Sequence, residues 1–322
     1  MFQIFYTDPQ TKFMKSIDPE TIDETFDAKG KWIHMTNPTD KEIEFVCEKI
    51  GTPEEMIKAA LDDEEMARID RDEDWLLTLF DIPTIEEEEN YYSYISIPLG
   101  VMYNASTIVT VCLKRTVLLN DFATGRVKCF DTNFKTRFLL QLLYGASTKF
   151  LQYLRQIDKA SQRIQSDLYE TMNNDSLVQL LDLENSLVYF STSLRSNNAV
   201  IEKLARVEAK NFYEDDLDLW EDVGIENRQA MEMCRIYSDI LKSTTDAFAN
   251  IINNNLNNVM KKLTIYTVIL AIPTLIYSMW GMNTPVPWQD NPAGFWILTA
   301  ISIVITVVAG ILLFKKKKFK KK

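Results

Sequence analysis

Seven residues in the last quarter of the chain, Asn257, Met260, Thr264, Thr267, Ala271, Thr274 and Ser278, recur at alternating steps of three and four. On a helix that spacing puts all seven on one face, polar or small except for Met260, while Ile265, Ile269, Ile272 and Ile276 take other positions. A file of amide and hydroxyl dipoles without Asp, Glu, Lys or Arg suits the passage of a partly hydrated divalent cation. Mg²⁺ sheds its water reluctantly, and neutral oxygens do not hold it too tightly to leave. Small and hydroxylated residues also line ordinary contacts between membrane helices, so the stripe by itself leaves both readings open. Enzyme chemistry finds no foothold: there is no Gly-rich phosphate loop, GxSxG or HExxH, and His34, the only histidine, reads as a structural residue after Trp32. Cys47, Cys112, Cys129 and Cys234 show no CxxC spacing and read as core or surface thiols.

The stripe sits on the first of two apolar runs, residues 263–280 and 294–314, joined by a short connector and followed by lysines. As helices these runs measure roughly 27 and 32 Å, close to the roughly 30 Å hydrocarbon core of a bilayer, so both are expected to span it. Lys261 and Lys262 precede the pair, and Lys315, Lys316, Lys317, Lys318, Lys320, Lys321 and Lys322 follow it, whereas the connector holds one charge, Asp290. Positive flanks stay inside, which predicts cytoplasmic termini; Trp280, Trp288 and Trp296 suit an interfacial belt. No apolar run of signal-peptide length lies in residues 1–31, so the N-terminal part is expected to remain unexported. Two spans cannot enclose a wet path within one subunit, so a pore needs several copies, and a closed cyclic homo-oligomer is the natural arrangement.

The formal charge of the chain is −11, and setting aside the seven tail lysines leaves −18 on residues 1–314. Such an acidic body repels nucleic acid and attracts cations. Residues 1–130 read as an α/β domain. Strands are expected at 1–6, 31–35, 75–82, 91–99, 107–112 and 116–119, with Glu86 to Asn90 as a solvated hairpin loop. Asn37-Pro38-Thr39-Asp40 opens a helix over 41–50, and Thr52 caps another that has Pro53 in its first turn and runs to about Leu61. From Asn133 the period turns helical: Phe150, Leu154, Ile157, Ile164, Leu168 and Met172 form one series, and Leu180 to Leu204 a second after the turn at Asn173, Asn174 and Asp175. These predict two long antiparallel helices over 131–224, with an acidic link at 211–222. Between Gly224 and Gly281 there is no glycine and one proline, Pro273, so a stalk helix of about 56 residues over 225–280, roughly 84 Å long, should run into the first span, with Pro273 as its place to bend. The connector then covers 281–293, the second span 294–314 and the basic tail 315–322. The whole reads as an α+β membrane protein: an N-terminal α/β cytoplasmic domain, long antiparallel and stalk helices, and two C-terminal transmembrane helices.

Gly281-Met282-Asn283 directly after the first span, with Pro273-Thr274 before it and the lysine tail beyond, resembles the CorA family of magnesium and cobalt transporters. The likeness extends along the whole chain. It implies a funnel-shaped homopentamer in the cytoplasmic (inner) membrane whose first span lines the pore. Asn283 would then form the outer ring that meets the hydrated ion, with Gly281 and Met282 shaping the turn. Thr274 and Asn257 would form further polar rings, and Met260 and Leu263 a hydrophobic constriction. The resemblance also implies closure when cytoplasmic Mg²⁺ bridges carboxylates of neighbouring subunits, making Mg²⁺ both substrate and regulator. Leu61-Asp62-Asp63 is similar to the family's Leu-Glu-Asp, and Trp220-Glu221-Asp222-Val223 falls near the stalk's start, so Asp63 and Asp222 are the implied bridge and Asp246 a further candidate. Two departures stand out: Trp280 replaces the usual Tyr before the tripeptide, and the connector lacks the common Met-Pro-Glu run. Co²⁺ and Ni²⁺ are expected as further cargo beside Mg²⁺; a zinc transporter of the same superfamily, or a membrane-anchored sensor or scaffold without transport, are the alternatives.

Overall fold

Alternation of apolar side chains across both faces of each strand builds the sheet on which the N-terminal part rests. In the computed structural model, residues 1–322 are described other than 12, 19–25, 89–90, 172–173, 209–211, 288–290, 292 and 316–322; at 87–88, 91–92, 169–171, 174 and 315 the description covers the backbone alone. Seven strands, β1 (Phe2–Thr7), β2 (Met14–Ile17), β3 (Lys31–Thr36), β4 (Arg68–Asp72), β5 (Trp75–Glu88), β6 (Tyr91–Tyr103) and β7 (Ile108–Cys112), form one sheet in the order β2-β1-β3-β7-β6-β5-β4. The β3 and β7 pair is parallel and the other five pairs are antiparallel. On one face Leu76, Phe80 and Ile82 join Trp32, Phe122 and Phe138; on the other, Leu77 and Leu79 join Ile33, Ile43 and Ile57.

Helices cover both faces. Helices α1 (Asp40–Ile50) and α2 (Glu54–Ala59) supply Ile43, Val46, Met56 and Ile57 to one core. Helices α3 (Val117–Ala123), α4 (Lys135–Thr171) and α5 (Asn174–Glu208) supply the other, with Phe150 of α4 meeting Phe190 of α5 at 5.0 Å between ring centroids. Thr39 and Glu42 form a capping box that fixes the start of α1 where the sequence placed it. Gly100 lets α2 press on β6, since a Cβ there would stand 2.4 Å from Ala60 Cβ. Asn197 of α5 donates to Asp81 O and accepts from Asp81 N, both at 2.8 Å, and so ties α5 to β5.

Several expectations are corrected. Residues 116–119 are not a strand: Thr116 Oγ1 accepts from Leu119 N at 3.3 Å and caps α3, whose Leu118, Leu119 and Phe122 are buried. Pro53, with ψ 127°, stands at the N-cap of α2, and Thr52 is buried with no hydrogen-bond partner for its hydroxyl. The solvated loop is shorter than expected, because pairing carries β5 to Glu88 opposite Tyr91; Glu89 and Asn90 lie outside the described residues. The acidic link at 211–222 is mostly helix. Helix α6 runs over Glu214–Trp280, and Glu214, Asp215 and Asp216 make its first turn, where the helix dipole favours carboxylates. Gly224 does not interrupt it, because Trp220 donates to Ile201 O at 3.0 Å and Asn227 to Leu194 O at 3.1 Å, clasping that stretch against α5. Such contacts outweigh the roughly 1 kcal/mol cost of an interior glycine. The chain divides into two compact units, Met1–Thr245 and Asp246–Lys322, and α6 belongs to both.

His34 sits in β3, buried between two hydroxyls, with Nδ1 3.0 Å from Thr110 Oγ1 and Nε2 3.0 Å from Thr36 Oγ1. Trp32 Nε1 also donates to Thr110 Oγ1, at 2.8 Å, so that hydroxyl joins the indole and the imidazole. Burial, with the N-terminal amine and Arg115 nearby, holds its pKa down to about 4. The unfolded chain protonates this ring below about pH 6.5 and the folded chain does not, so its contribution is intact above that value and is lost as pH falls toward 4, by roughly 3 kcal/mol. His34→Gln should flatten the fall in unfolding free energy across that window by about this amount. An unchanged slope in chemical denaturation would assign the acid sensitivity to carboxylates instead.

Candidate ion path and carboxylate sites

In the second unit the end of α6 and α7 (Gly294–Lys315) form an antiparallel pair, both long and apolar enough to cross a membrane. Tyr277 donates its hydroxyl proton to Thr299 Oγ1 at 3.0 Å, and Ile269 Cδ1 lies 3.8 Å from the place of a Cβ on Gly310, so descending α6 matches ascending α7. Ile265 is 8 % exposed, and Ile269, Ile272 and Ile276 are half-buried along the same line. At 100° per residue this isoleucine face is centred roughly 150° from the stripe.

That separation decides what the stripe faces. Asn257, Met260, Thr264, Thr267, Ala271, Thr274 and Ser278 are all exposed, none of them consumed by contact with α7. Thr264, Thr267 and Thr274 each donate back to the carbonyl four residues earlier, on Met260, Leu263 and Leu270, at 2.8, 2.9 and 2.9 Å. Their protons are spent on the helix, so the oxygens turn lone pairs outward as acceptors. Leu263 is 56 % exposed beside them. Pro273 leaves the Ile269 carbonyl without its amide, yet the helix continues to Trp280.

At the helix end Gly281 N donates to Tyr277 O at 2.9 Å, and a Cβ on Gly281 would stand 3.3 Å from that same oxygen. Met282 and Asn283 are exposed. The Trp280 indole donates to Pro287 O at 3.3 Å, and its ring closes an apolar cavity of about 250 Å³ with Ile276, Met279, Val286, Pro287 and Leu298. Trp280 therefore folds the connector back onto the helix end. Trp288, Asp290 and residues 316–322 lie outside the described residues. Sequence reasoning passed over Tyr277 and Thr299, the polar pair between the helices, because each is one of several hydroxyl residues in its apolar run and nothing in the spacing singles it out.

The carboxylates named from sequence are all exposed: Asp63 in the turn after α2, Asp222 in the upper part of α6, and Asp246 where the second unit begins. Asp62 braces the turn, its Oδ1 accepting from Glu64 N at 3.1 Å. Among the described residues, no group of three or more His, Cys, Asp or Glu within one chain is gathered to hold a metal ion.

Comparison with known proteins agrees with this layout. The family model described as CorA-like Mg²⁺ transporter protein matches residues 27–318. The cobalt/magnesium transport protein CorA of Methanocaldococcus jannaschii is 27 % identical over 303 residues, 91 % of this chain and 92 % of that one. The magnesium transport protein CorA of Campylobacter jejuni is 23 % identical over 308 residues, 89 % of this chain and 90 % of that one. A complete structure of the CorA magnesium transporter from Methanocaldococcus jannaschii superposes with a TM-score of 0.78 at 23 % identity, covering 97 % of this chain and 96 % of that one. That likeness establishes the fold: an N-terminal α/β part, a long helix and two C-terminal apolar helices.

Gly281→Ala should strain the end of α6, because the methyl meets a backbone oxygen that cannot swing aside. A cost of about 1 kcal/mol is expected, read as a fall of about 2 °C in the melting temperature of the solubilised protein. No fall would mean that the turn tolerates a side chain and that glycine serves the approach of something else.

Proposed function

The chain belongs to the CorA-like Mg²⁺ transporter family, and from that premise we propose that it carries Mg²⁺, with Co²⁺ and Ni²⁺ as further cargo, through a channel built from several copies of the lower part of α6. The observation that carries this reading is the acceptor-rich stripe, left clear on the side of α6 away from α7. Copies of this helix placed around an axis, as a homopentamer, turn Asn257, Thr264, Thr267, Thr274 and Ser278 toward shared water. Asn283 at the helix end forms the first ring a hydrated ion meets, its neutral amide replacing outer-shell contacts without stripping the inner waters. Met260 and Leu263 narrow the other end, where an apolar ring gates by dewetting. Both termini face the cytoplasm of a cell whose inside-negative potential supplies about 2.3 kcal/mol per charge per 100 mV, hence roughly 4.6 kcal/mol for a divalent ion. Uptake requires no other energy source.

Closure follows from the same cation. Asp63 and Asp222 are exposed, as a bridge between neighbouring copies requires. Carboxylates brought together repel until a divalent ion neutralises them, so cytoplasmic Mg²⁺ locks the subunits and its loss frees them. Asp246 adds a second position lower on α6.

Asn283→Ala should reduce Mg²⁺ flux into proteoliposomes to the level of protein-free vesicles; flux that survives would remove the outer ring and favour a tethered sensor. Running the parent protein with Mg²⁺, Co²⁺, Ni²⁺ and Zn²⁺ in turn ranks the cargo. Separately, Asp63→Lys or Asp222→Lys should shift the Mg²⁺ concentration that protects the protein from protease several-fold upward, and identical protection curves in both variants would strike these residues from the regulatory site.

A further inference from the structure

A cavity of about 580 Å³ opens in the first unit where β6 ends and α4 begins, and the transport reading makes no use of it. Its floor is the N-terminus of a 37-residue helix. Phe134, the residue before α4, offers no side-chain acceptor. The first amides of α4 have no intrahelical partner, and they face the cavity with the positive end of the helix dipole.

Three cations line the same space: Arg71, Lys135 and Arg137. Arg137 Nε is buried without a hydrogen-bond partner. Burial and then Lys29 push the Lys135 pKa down, a penalty that an anion beside it reverses. The Tyr103 hydroxyl, on a residue only 8 % exposed, lines the cavity with no partner in full hydrogen-bond geometry, although Glu208 and Thr136 lie close enough to act on its pKa. Desolvation raises its pKa, which keeps it protonated and a donor. A buried hydroxyl left unbonded is costly, and a ligand oxygen would satisfy it.

Acidic neighbours do not cancel this field. Glu208 is fully buried and answered by Arg71 at 3.4 Å, and Asp215, 3.8 Å from Arg137, is 81 % exposed and free to swing away. Asp74, the remaining acid, is exposed. Above the cations stand Phe134 and Tyr213, edge to face at 5.8 Å and exposed at 45 % and 62 %. Flat apolar surface beside an anion site is the pairing that a base with a phosphate attached would recognise.

We propose that this cavity binds a nucleoside phosphate, the phosphoryl group on the α4 amides, Arg137, Lys135 and the Tyr103 hydroxyl, and the base against Phe134 and Tyr213. The site reads metabolic state on the unit that also carries Asp63 and Asp222, and binding needs no divalent metal.

The test is calorimetric titration of the full-length solubilised protein with AMP in chelator, with adenosine and inorganic phosphate as separate arms. AMP should bind saturably and more tightly than either fragment. Tyr103→Phe should weaken AMP about tenfold while leaving the ligand-free melting temperature unchanged or higher, and Arg137→Ala should weaken it at least as much. Absence of saturable AMP binding overturns the proposal, as does equal binding by both variants. Adenosine matching AMP would refute the phosphate anchor, and phosphate matching AMP the aromatic wall. Because no metal and no flux enter the measurement, its failure leaves the transport reading standing.

Discussion

A helix has one circumference to share among its neighbours, and in the second unit the contact between the isoleucine face of α6 and α7 decides how it is shared. Ile265, Ile269, Ile272 and Ile276 turn to α7, with Tyr277 bonded to Thr299 as a polar pin in an apolar seam. Once those residues are committed, the hydroxyls and amides on the far side have nowhere to go but away from the pair. Had the isoleucines and threonines been shuffled around the same helix at the same composition, the polar groups would have been absorbed between the two helices, where small polar residues commonly act as glue.

The first unit solves a different problem, how to bury a sheet on both faces with a strongly acidic chain. Strands such as β7, every residue of it buried, can exist only under helices on both sides. Short α1 and α2 cover one face and the long α4 and α5 the other, so charge is left to the outer helix surfaces and the loops. Several of the polar groups that do enter are answered in pairs: Asn197 on the backbone of Asp81, His34 between two threonines, Thr7 N on Thr132 Oγ1 at 3.1 Å. The Asn197 pair fixes α5 on β5, and the His34–Thr110 pair the register of β3 on β7, more sharply than apolar contacts alone, because a one-residue slip would leave each group unbonded.

What the sequence disclosed follows the strength of the local signals. The two apolar helices were legible because twenty apolar residues have few alternative fates, and α1 because Thr39 and Glu42 form a capping box readable at fixed spacing. The edge strands β2 and β4 were missed, since Met14–Ile17 and Arg68–Asp72 are polar segments whose pairing is set by β1 and β5 rather than by any pattern of their own. Residues 116–119 misled for the opposite reason: Thr116 and Val117 look like a strand, and only the buried triad Leu118, Leu119 and Phe122 reveals a helix. The stripe could be drawn from spacing alone, but that it stays exposed depends on α7, a tertiary fact. The cavity at the start of α4 left no trace in the sequence, because Arg71, Tyr103 and Arg137 belong to three elements distant along the chain.

The chemistry of the stripe also limits what kind of site it can be. A carboxylate on this face would hold a divalent ion tightly, and release would then set the rate; hydroxyl oxygens whose protons are already given to the helix offer only a partial negative charge. In the proposed pore each position would therefore bind weakly, and several weak positions in file would allow an ion to exchange one for the next without a deep well. Back-donation to the carbonyls of Met260, Leu263 and Leu270 also fixes the threonine rotamers, so the acceptors are oriented before an ion arrives. Weak attraction with fixed geometry separates a path from a binding site, and the placement of charge in this chain keeps to that division: among residues 263–280 there is none, while Asp63, Asp222 and Asp246, the carboxylates proposed for the regulatory bridge, lie outside that run.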